Sequence, residues 1–183
     1  MSQATETVAK PGGPAATVDE MTIRLLRMIY VSEVYSAGTF AYVLETYEGL
    51  TAGQRRRFDA CRRLEVMIAA RLFDHLTRDL GLPIKPPVRT RQAVLNLAPP
   101  RHGTWFDYMT ELEGGAIRGV QSARALKAMY QDREPNLCAT LLASRMALRD
   151  FARDELDDQS ESSLDRILAL LSPEDREAVI GGA

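Results

Sequence analysis

Two glutamates lie in the middle of apolar stripes whose members recur every three or four residues, as on one face of a helix. Glu33 lies between Ile29 and Ala37, and Glu65 follows Cys61 by four residues. A carboxylate in a core costs free energy unless it meets a cation, a metal ion or a proton. The pattern therefore predicts a buried charged site. The alternative is that one glutamate lies at the edge of its stripe and is solvated.

Two long predicted helices carry these glutamates. Thr17 and Glu20 form a capping box that opens helix 1, which we expect to run to about Tyr47. Thr51 opens helix 2 with the same type of capping box, and the helix continues to Leu80, just before a glycine and a proline stop it.

The turn between helices 1 and 2 is so short that the two helices must be antiparallel. Glu33 lies 16 residues before Gly49, and Glu65 lies 14 residues after Thr51. At these positions the two glutamates are at nearly the same height and face each other. The sequence therefore predicts that both carboxyl groups reach a common centre.

The segment 82–104 contains five prolines and no sustained periodicity, which indicates a connector. At roughly 3.3 Å per extended residue it can span the full length of a long helix, so we expect helix 3 (about 105–130) to run parallel to helix 2. Helix 4 follows after a tight turn and reaches about Asp157. A polar break then precedes two short helices.

The sequence therefore predicts an all-α fold: an antiparallel four-helix bundle with a long crossover between helices 2 and 3. The bundle occupies residues 17–158 and is followed by two short helices within 163–183. Residues 1–16, rich in Ala, Gly, Pro, Thr and Ser, are predicted to be a disordered tail.

Helices 3 and 4 add two charged candidates to the same layer. Glu113 lies in line with Met109 and is a third predicted metal ligand. Arg145 shares a stripe with Leu141, and we expect its guanidinium to replace a metal ion by pairing with the two glutamates. The alternative is that Ser144 faces inward while Arg145 extends to water.

Gly119 and two further glycines in helix 3 permit a bulge or a close helix contact, or simply loosen the helix.

Four long helices, a short turn within each pair, a long crossover and inward carboxylates resemble the ferritin-like superfamily, which includes ferritins, rubrerythrins and the di-iron hydroxylases of ubiquinone synthesis. The resemblance covers residues 18–157. It implies descent from metal-dependent oxidoreductases, iron or another divalent metal as cofactor, and Glu33, Glu65 and Glu113 as metal ligands. Whether the protein is an enzyme stays open.

The family's Glu-x-x-His pairs are missing from this chain. Helix 2 has Ile68 at the histidine position, and the middle of helix 4 has neither Glu nor His. A second alignment offers Glu155 and Asp158 at the end of helix 4. The implied site is incomplete and binds metal weakly or not at all. The alternative is a metal-free helical bundle that docks a protein partner, with a homodimer as the default assembly.

Composition excludes several other classes. The net charge of −2 is not that of a nucleic-acid binder, and no apolar run approaches the ~20 residues of a membrane span. Cys61 and Cys138 are far apart and fall on apolar stripes, which predicts reduced, buried thiols. With no secretory signal at the start of the sequence, these features predict a cytoplasmic protein.

The sequence has two further features of interest, a cluster of arginines in helix 2 and two histidines. The arginines at 55–57, with Arg62 and Arg63, predict a solvated basic face on helix 2; the alternative is a docking site for an acidic partner. His75 and His102 are predicted to have structural or solvent-exposed roles rather than to bind metal.

Overall fold

The computed structural model describes residues 18–84, 104–158 and 160–181, and in these ranges the protein is helical with no strand. The predicted all-α class is confirmed. The helices are α1 (Glu20–Thr46), α2 (Ala52–Asp74), α3 (Trp105–Tyr130), α4 (Pro135–Leu156), α5 (Ser160–Leu168) and α6 (Pro173–Gly181). The predicted tail at 1–16 and most of the predicted connector at 82–104 lie outside the described residues. None of the described helices is long and apolar enough to cross a bilayer.

Side-chain caps fix where the long helices begin. Thr51 and Gln54 form the predicted capping box at the start of α2, with reciprocal hydrogen bonds of 2.9 and 3.2 Å. The start of α1 was predicted wrongly. The helix begins at Glu20 rather than near Thr17, because the Asp19 carboxylate accepts the backbone N–H of Thr22 at 2.9 Å and acts as the cap.

The end of α2 also differs from the prediction. After Asp74 the chain makes one π-helical turn, His75–Asp79, instead of continuing as an α-helix to Leu80. His75 is buried, with Nδ1 2.8 Å from an oxygen of Asp79 and Nε2 3.1 Å from the Tyr130 hydroxyl. The π-turn therefore places the imidazole of His75 against Tyr130, the last residue of α3.

Ring contacts give the relative directions of the first three helices. Phe40 and Phe58 lie 5.2 Å apart, and Tyr30 and Phe73 lie 6.2 Å apart, so α1 and α2 are antiparallel. Phe58, near the start of α2, also lies 4.9 Å from the ring of Trp105 at the start of α3. Together with the contact between His75 and Tyr130, this shows that α2 and α3 run in the same direction.

The two short C-terminal helices pack on the long ones and add to their core. Ile167, Leu171 and Val179 are almost completely buried. The hydroxyl of Ser172 accepts the backbone N–H of Asp175 at 3.1 Å and so caps α6. The long helices contain Cys61 and Cys138, which are buried free thiols, as their stripes predicted.

Candidate functional site

Three of the long helices bring Glu33, Glu65 and Arg145 together in the middle of the protein. Arg145 Nη2 forms an ion pair with Glu33 Oε1, and Arg145 Nη1 donates to Glu65 Oε1 at 3.1 Å. The Arg145 side chain is only 7% exposed, and the glutamate side chains at most 1%. The Ser36 hydroxyl also donates to Glu65 Oε1, at 3.0 Å. These are the contacts that the Arg145 hypothesis requires.

Burial favours the neutral form of the Glu33 carboxyl. Its pKa lies well above the ordinary value, first because the carboxyl is buried and then because the Glu65 carboxyl is close; the nearby guanidinium opposes both effects. For Arg145, burial disfavours the charged form, but Glu65 and Glu33 outweigh it and hold the pKa above its usual range. A neutral Glu33 would let the single positive charge of Arg145 face one carboxylate instead of two.

The network is not saturated with hydrogen bonds. Both carboxyl oxygens of Glu33, Oε2 of Glu65 and Nη2 of Arg145 are buried and lack a partner with hydrogen-bond geometry within the described structure. Unmet buried polar groups cost stability, so other contributions must hold these side chains in the core.

The position of Arg145 settles the two sequence alternatives. Arg145 does not extend to water, and Ser144 is buried as well, where its hydroxyl donates to the Leu141 carbonyl at 2.9 Å. On α3, Gly119 faces the stem of Arg145, so one of the three helix-3 glycines serves the predicted close helix contact. A side chain there would occupy the space that the arginine fills.

Glu113 does not join this site, contrary to the prediction. It pairs with Arg153 of α4 at 2.9 Å, near the surface. The stripe predicted through Met109 and Glu113 is only partly buried, since Met109 lies in the core but Phe106 and Ile117, at the same spacing, are exposed. The buried face of α3 is offset toward smaller side chains. Its buried members are Tyr108, Met109, Ala116, Val120, Ala123, Leu126 and Tyr130.

A second ion pair lies toward the other end of α4, where the prediction had only the discounted Glu155 alignment. Arg57 Nε lies 2.6 Å from Glu155 Oε1, and the Glu155 side chain is 3% exposed. The Ser163 hydroxyl of α5 donates to the same carboxylate at 3.4 Å. The sequence contains a pattern that indicates this inward position of Arg57. Arg57, Cys61 and Glu65 follow one another at intervals of four residues, which places all three on one helix face.

Two of the remaining arginines at the start of α2 depart from the predicted solvated basic face: Arg62 and Arg63 are half-buried in ion pairs, whereas Arg55 and Arg56 are exposed, as predicted. Arg55 donates to the carbonyls of Leu44, at 2.9 Å, and Tyr47, at 3.3 Å, at the end of α1. Arg62 and Arg63 pair with Asp59, at 2.6 and 2.8 Å. Arg63 also pairs with Asp175 of α6 at 2.8 Å. Among these arginines, the exposed charge left for an acidic partner is that of Arg55 and Arg56.

The donor set at the centre does not fit a pair of iron ions. Two carboxylates converge there without an imidazole, and a guanidinium stands between them. His75 is engaged at the end of α2, and His102 lies outside the described residues. Across 18–84, 104–158 and 160–181, no group of three or more His, Cys, Asp or Glu side chains is arranged to hold a metal ion.

Comparison with protein-family models, with curated proteins and with solved structures gave no match.

Proposed function

We propose that this chain is a ferritin-like four-helix bundle in which Arg145, with Glu33 and Glu65, takes the place of a dimetal centre, and that the protein acts as a metal-free scaffold for a protein partner rather than as an oxidoreductase. The observation that carries the proposal is the buried guanidinium within reach of both inward carboxyls. The helix directions given by Phe40, Phe58 and Trp105 support the bundle.

Electrostatics gives the physical reason. A guanidinium keeps its charge at any physiological pH and binds carboxylates through its fork of donors. A divalent cation placed beside it would meet strong repulsion at low dielectric and would compete for carboxyl oxygens that Arg145 already occupies. The bundle therefore keeps inward carboxylates but uses them as partners for a fixed internal charge.

Metal content tests this part of the proposal. The protein is purified without chelator, and bound metals are measured by mass spectrometry before and after anaerobic incubation with Fe²⁺. We expect no stoichiometric metal in either sample. Two iron ions per chain would overturn the proposal.

The interaction part rests on the outer face of α1. Met21, Met28 and Val31 are 68, 54 and 58% exposed, which is unusual for three large apolar side chains on one helix. We propose a second copy of this chain as the partner, because a two-fold axis would bring this apolar patch against the same patch of the other copy and cover both. Light scattering is expected to give a dimer for the parent and a monomer for Met28→Lys, while Met129→Lys, on α3, stays dimeric. A monomeric parent would overturn the homodimer.

A further inference from the structure

A cleft of about 200 Å³ lies between the end of α1 and the start of α3. Four aromatic side chains line it: Tyr42 and Tyr47 from α1 and the following turn, and Trp105 and Tyr108 from α3. Val43, Thr46 and Thr104 complete the lining. The volume suits a small molecule, since drug-sized ligands occupy larger pockets.

The aromatic wall is held in place by the core behind it. Phe58 lies 4.9 Å from the ring of Trp105 and 5.3 Å from that of Tyr108, which is itself buried. On the other side, Arg55 fixes the end of α1 through its bond to the Tyr47 carbonyl. The rings are therefore positioned before any ligand arrives, which lowers the entropic cost of binding.

The lining has no formally charged group, and its threonine hydroxyls already donate elsewhere. Thr46 donates to the Tyr42 carbonyl at 2.8 Å, and Thr104 donates to Asp107 at 2.7 Å. Burial is the main reason that the pKa of Tyr108 lies far above its usual value, so this phenol stays neutral. Apart from its tyrosine hydroxyls, the cleft therefore presents aromatic rings rather than charged groups.

Charges around the cleft favour a cation. Asp107 accepts a hydrogen bond from the lining residue Thr104 at 2.7 Å, and the charge of Glu111 is close enough to Tyr108 to raise the pKa of its phenol. Glu45 and Glu48 are sequence neighbours of the lining residues Thr46 and Tyr47. Among the described neighbours the opposing charge is Arg55, which is bound to carbonyls at the end of α1.

We propose that this cleft binds a small, free quaternary or methylated ammonium ion of the choline type. Aromatic rings attract such cations through their negative faces, and the cation gives up little hydration because its methyl groups shield the charge. A neutral ligand of the same shape would fill the cleft but would gain nothing from the rings' electrostatics or from the carboxylates around them.

Trp105, the chain's single tryptophan, lines the cleft and reports on it directly. The intrinsic fluorescence of the full-length protein is titrated with choline, with phosphocholine and with 3,3-dimethylbutanol, the uncharged carbon analogue of choline. We expect a saturable change with choline, weaker binding of phosphocholine because its phosphate meets the surrounding carboxylates, and at least tenfold weaker binding of the alcohol. Equal binding of choline and the alcohol, or no saturable change with choline, would overturn the proposal.

Two variants localise the response. Tyr42→Leu and Tyr47→Leu each keep an apolar side chain but remove one ring, and either should weaken choline binding about 3- to 30-fold. Phe106→Leu removes an exposed ring beside the cleft but outside its lining, and should bind like the parent. Circular dichroism shows whether each variant is folded. If both folded tyrosine variants bind choline as the parent does, the assignment is wrong.

Discussion

A Cβ atom placed on Gly119 would lie 2.8 Å from Cδ of Arg145, closer than carbon atoms approach without displacement. Cδ lies in the middle of a side chain whose guanidinium is fixed by Glu33 and Glu65, so the arginine has little freedom to move away. The glycine is therefore part of the site, although it carries no functional group.

The first prediction follows from this contact. Gly119→Ala should lower the free energy of unfolding by about 1–3 kcal/mol through overpacking, even though alanine favours helix by about 1 kcal/mol over glycine. Gly114→Ala is the matched control, because its Cβ would meet only the tip of Arg118 at 3.7 Å, and it should be neutral or stabilising. Urea unfolding measures both. Equal effects of the two substitutions would show that Arg145 adapts freely.

Arg145→Met should cost about 3–5 kcal/mol at neutral pH, because two carboxyls then share a buried site without a cation. Without Arg145 the pKa of Glu33 in the folded state rises further above its unfolded value, so stability is present at low pH and lost as pH rises through the folded-state pKa. The gap between parent and variant should therefore narrow in acid. Denaturant unfolding at several pH values measures it. Arg153→Met, which breaks the surface pair with Glu113, should stay close to the parent throughout.

The two glutamates should respond differently to neutralisation. Because burial raises the pKa of Glu33, Glu33→Gln resembles the neutral form that burial favours and should cost less than about 1 kcal/mol at pH 7. Glu65→Gln leaves Arg145 without an ionised partner and should cost about 3 kcal/mol or more. Above pH 4.5, the ordinary value for Glu33, the parent should lose stability relative to Glu33→Gln as pH rises. Thermal unfolding from pH 4.5 to 9 tests this; the reverse order of costs would contradict a neutral Glu33.

Removing the guanidinium should create a metal site. Arg145→Ala opens space beside two carboxyls and the Ser36 hydroxyl, oxygen ligands of the type that Mn²⁺ and Mg²⁺ prefer. Millimolar Mn²⁺ should raise the melting temperature of this variant by a few degrees and leave the parent unchanged. The double variant with Glu33→Gln should lose the effect. A response in the parent would instead indicate a metal site elsewhere or within the intact network.

The two chain ends should differ in importance. Deleting residues 159–183 removes the buried side chains of Ile167, Leu171 and Val179, each contributing about 1.5–3 kcal/mol, so the remainder should melt far below the parent. Deleting residues 1–16 should leave the melting temperature unchanged, since their composition gives few apolar side chains to bury. Scanning calorimetry compares the two truncations with the full chain.

Local signals allowed much of the helical architecture to be predicted. The capping box at Thr51 and the proline at the start of α4 stand within a few residues of the helix ends that they determine. Glu33 and Glu65 could be placed at one level because a short turn fixes the register of two antiparallel helices. For α1 the prediction placed the cap at Thr17, whereas the Asp19 carboxylate caps the helix, because an aspartate is as good an N-cap as a threonine.

What was missed depends on contacts between distant parts of the chain. Arg57 and Glu155 are 98 residues apart, and each alone reads as a surface charge. The offset of the buried face of α3 escaped detection because this face uses Ala116, Gly119 and Ala123, whose small size weakens the hydrophobic periodicity. These residues are small because other helices and Arg145 approach them closely, which is information that only the packed structure contains.

The π-helical turn at His75–Asp79 has a consequence for sequence comparison. A π-turn closes its hydrogen bonds one residue later than an α-turn, so this last turn of the helix holds one residue more than an α-turn would. A homologous chain with an uninterrupted α-helix at this point should align with this one only across a one-residue gap between Asp74 and Leu80. If such a gap is ignored, the later residues of this turn are shifted by about 100° around the helix axis, and the position of Asp79, which meets His75, no longer corresponds.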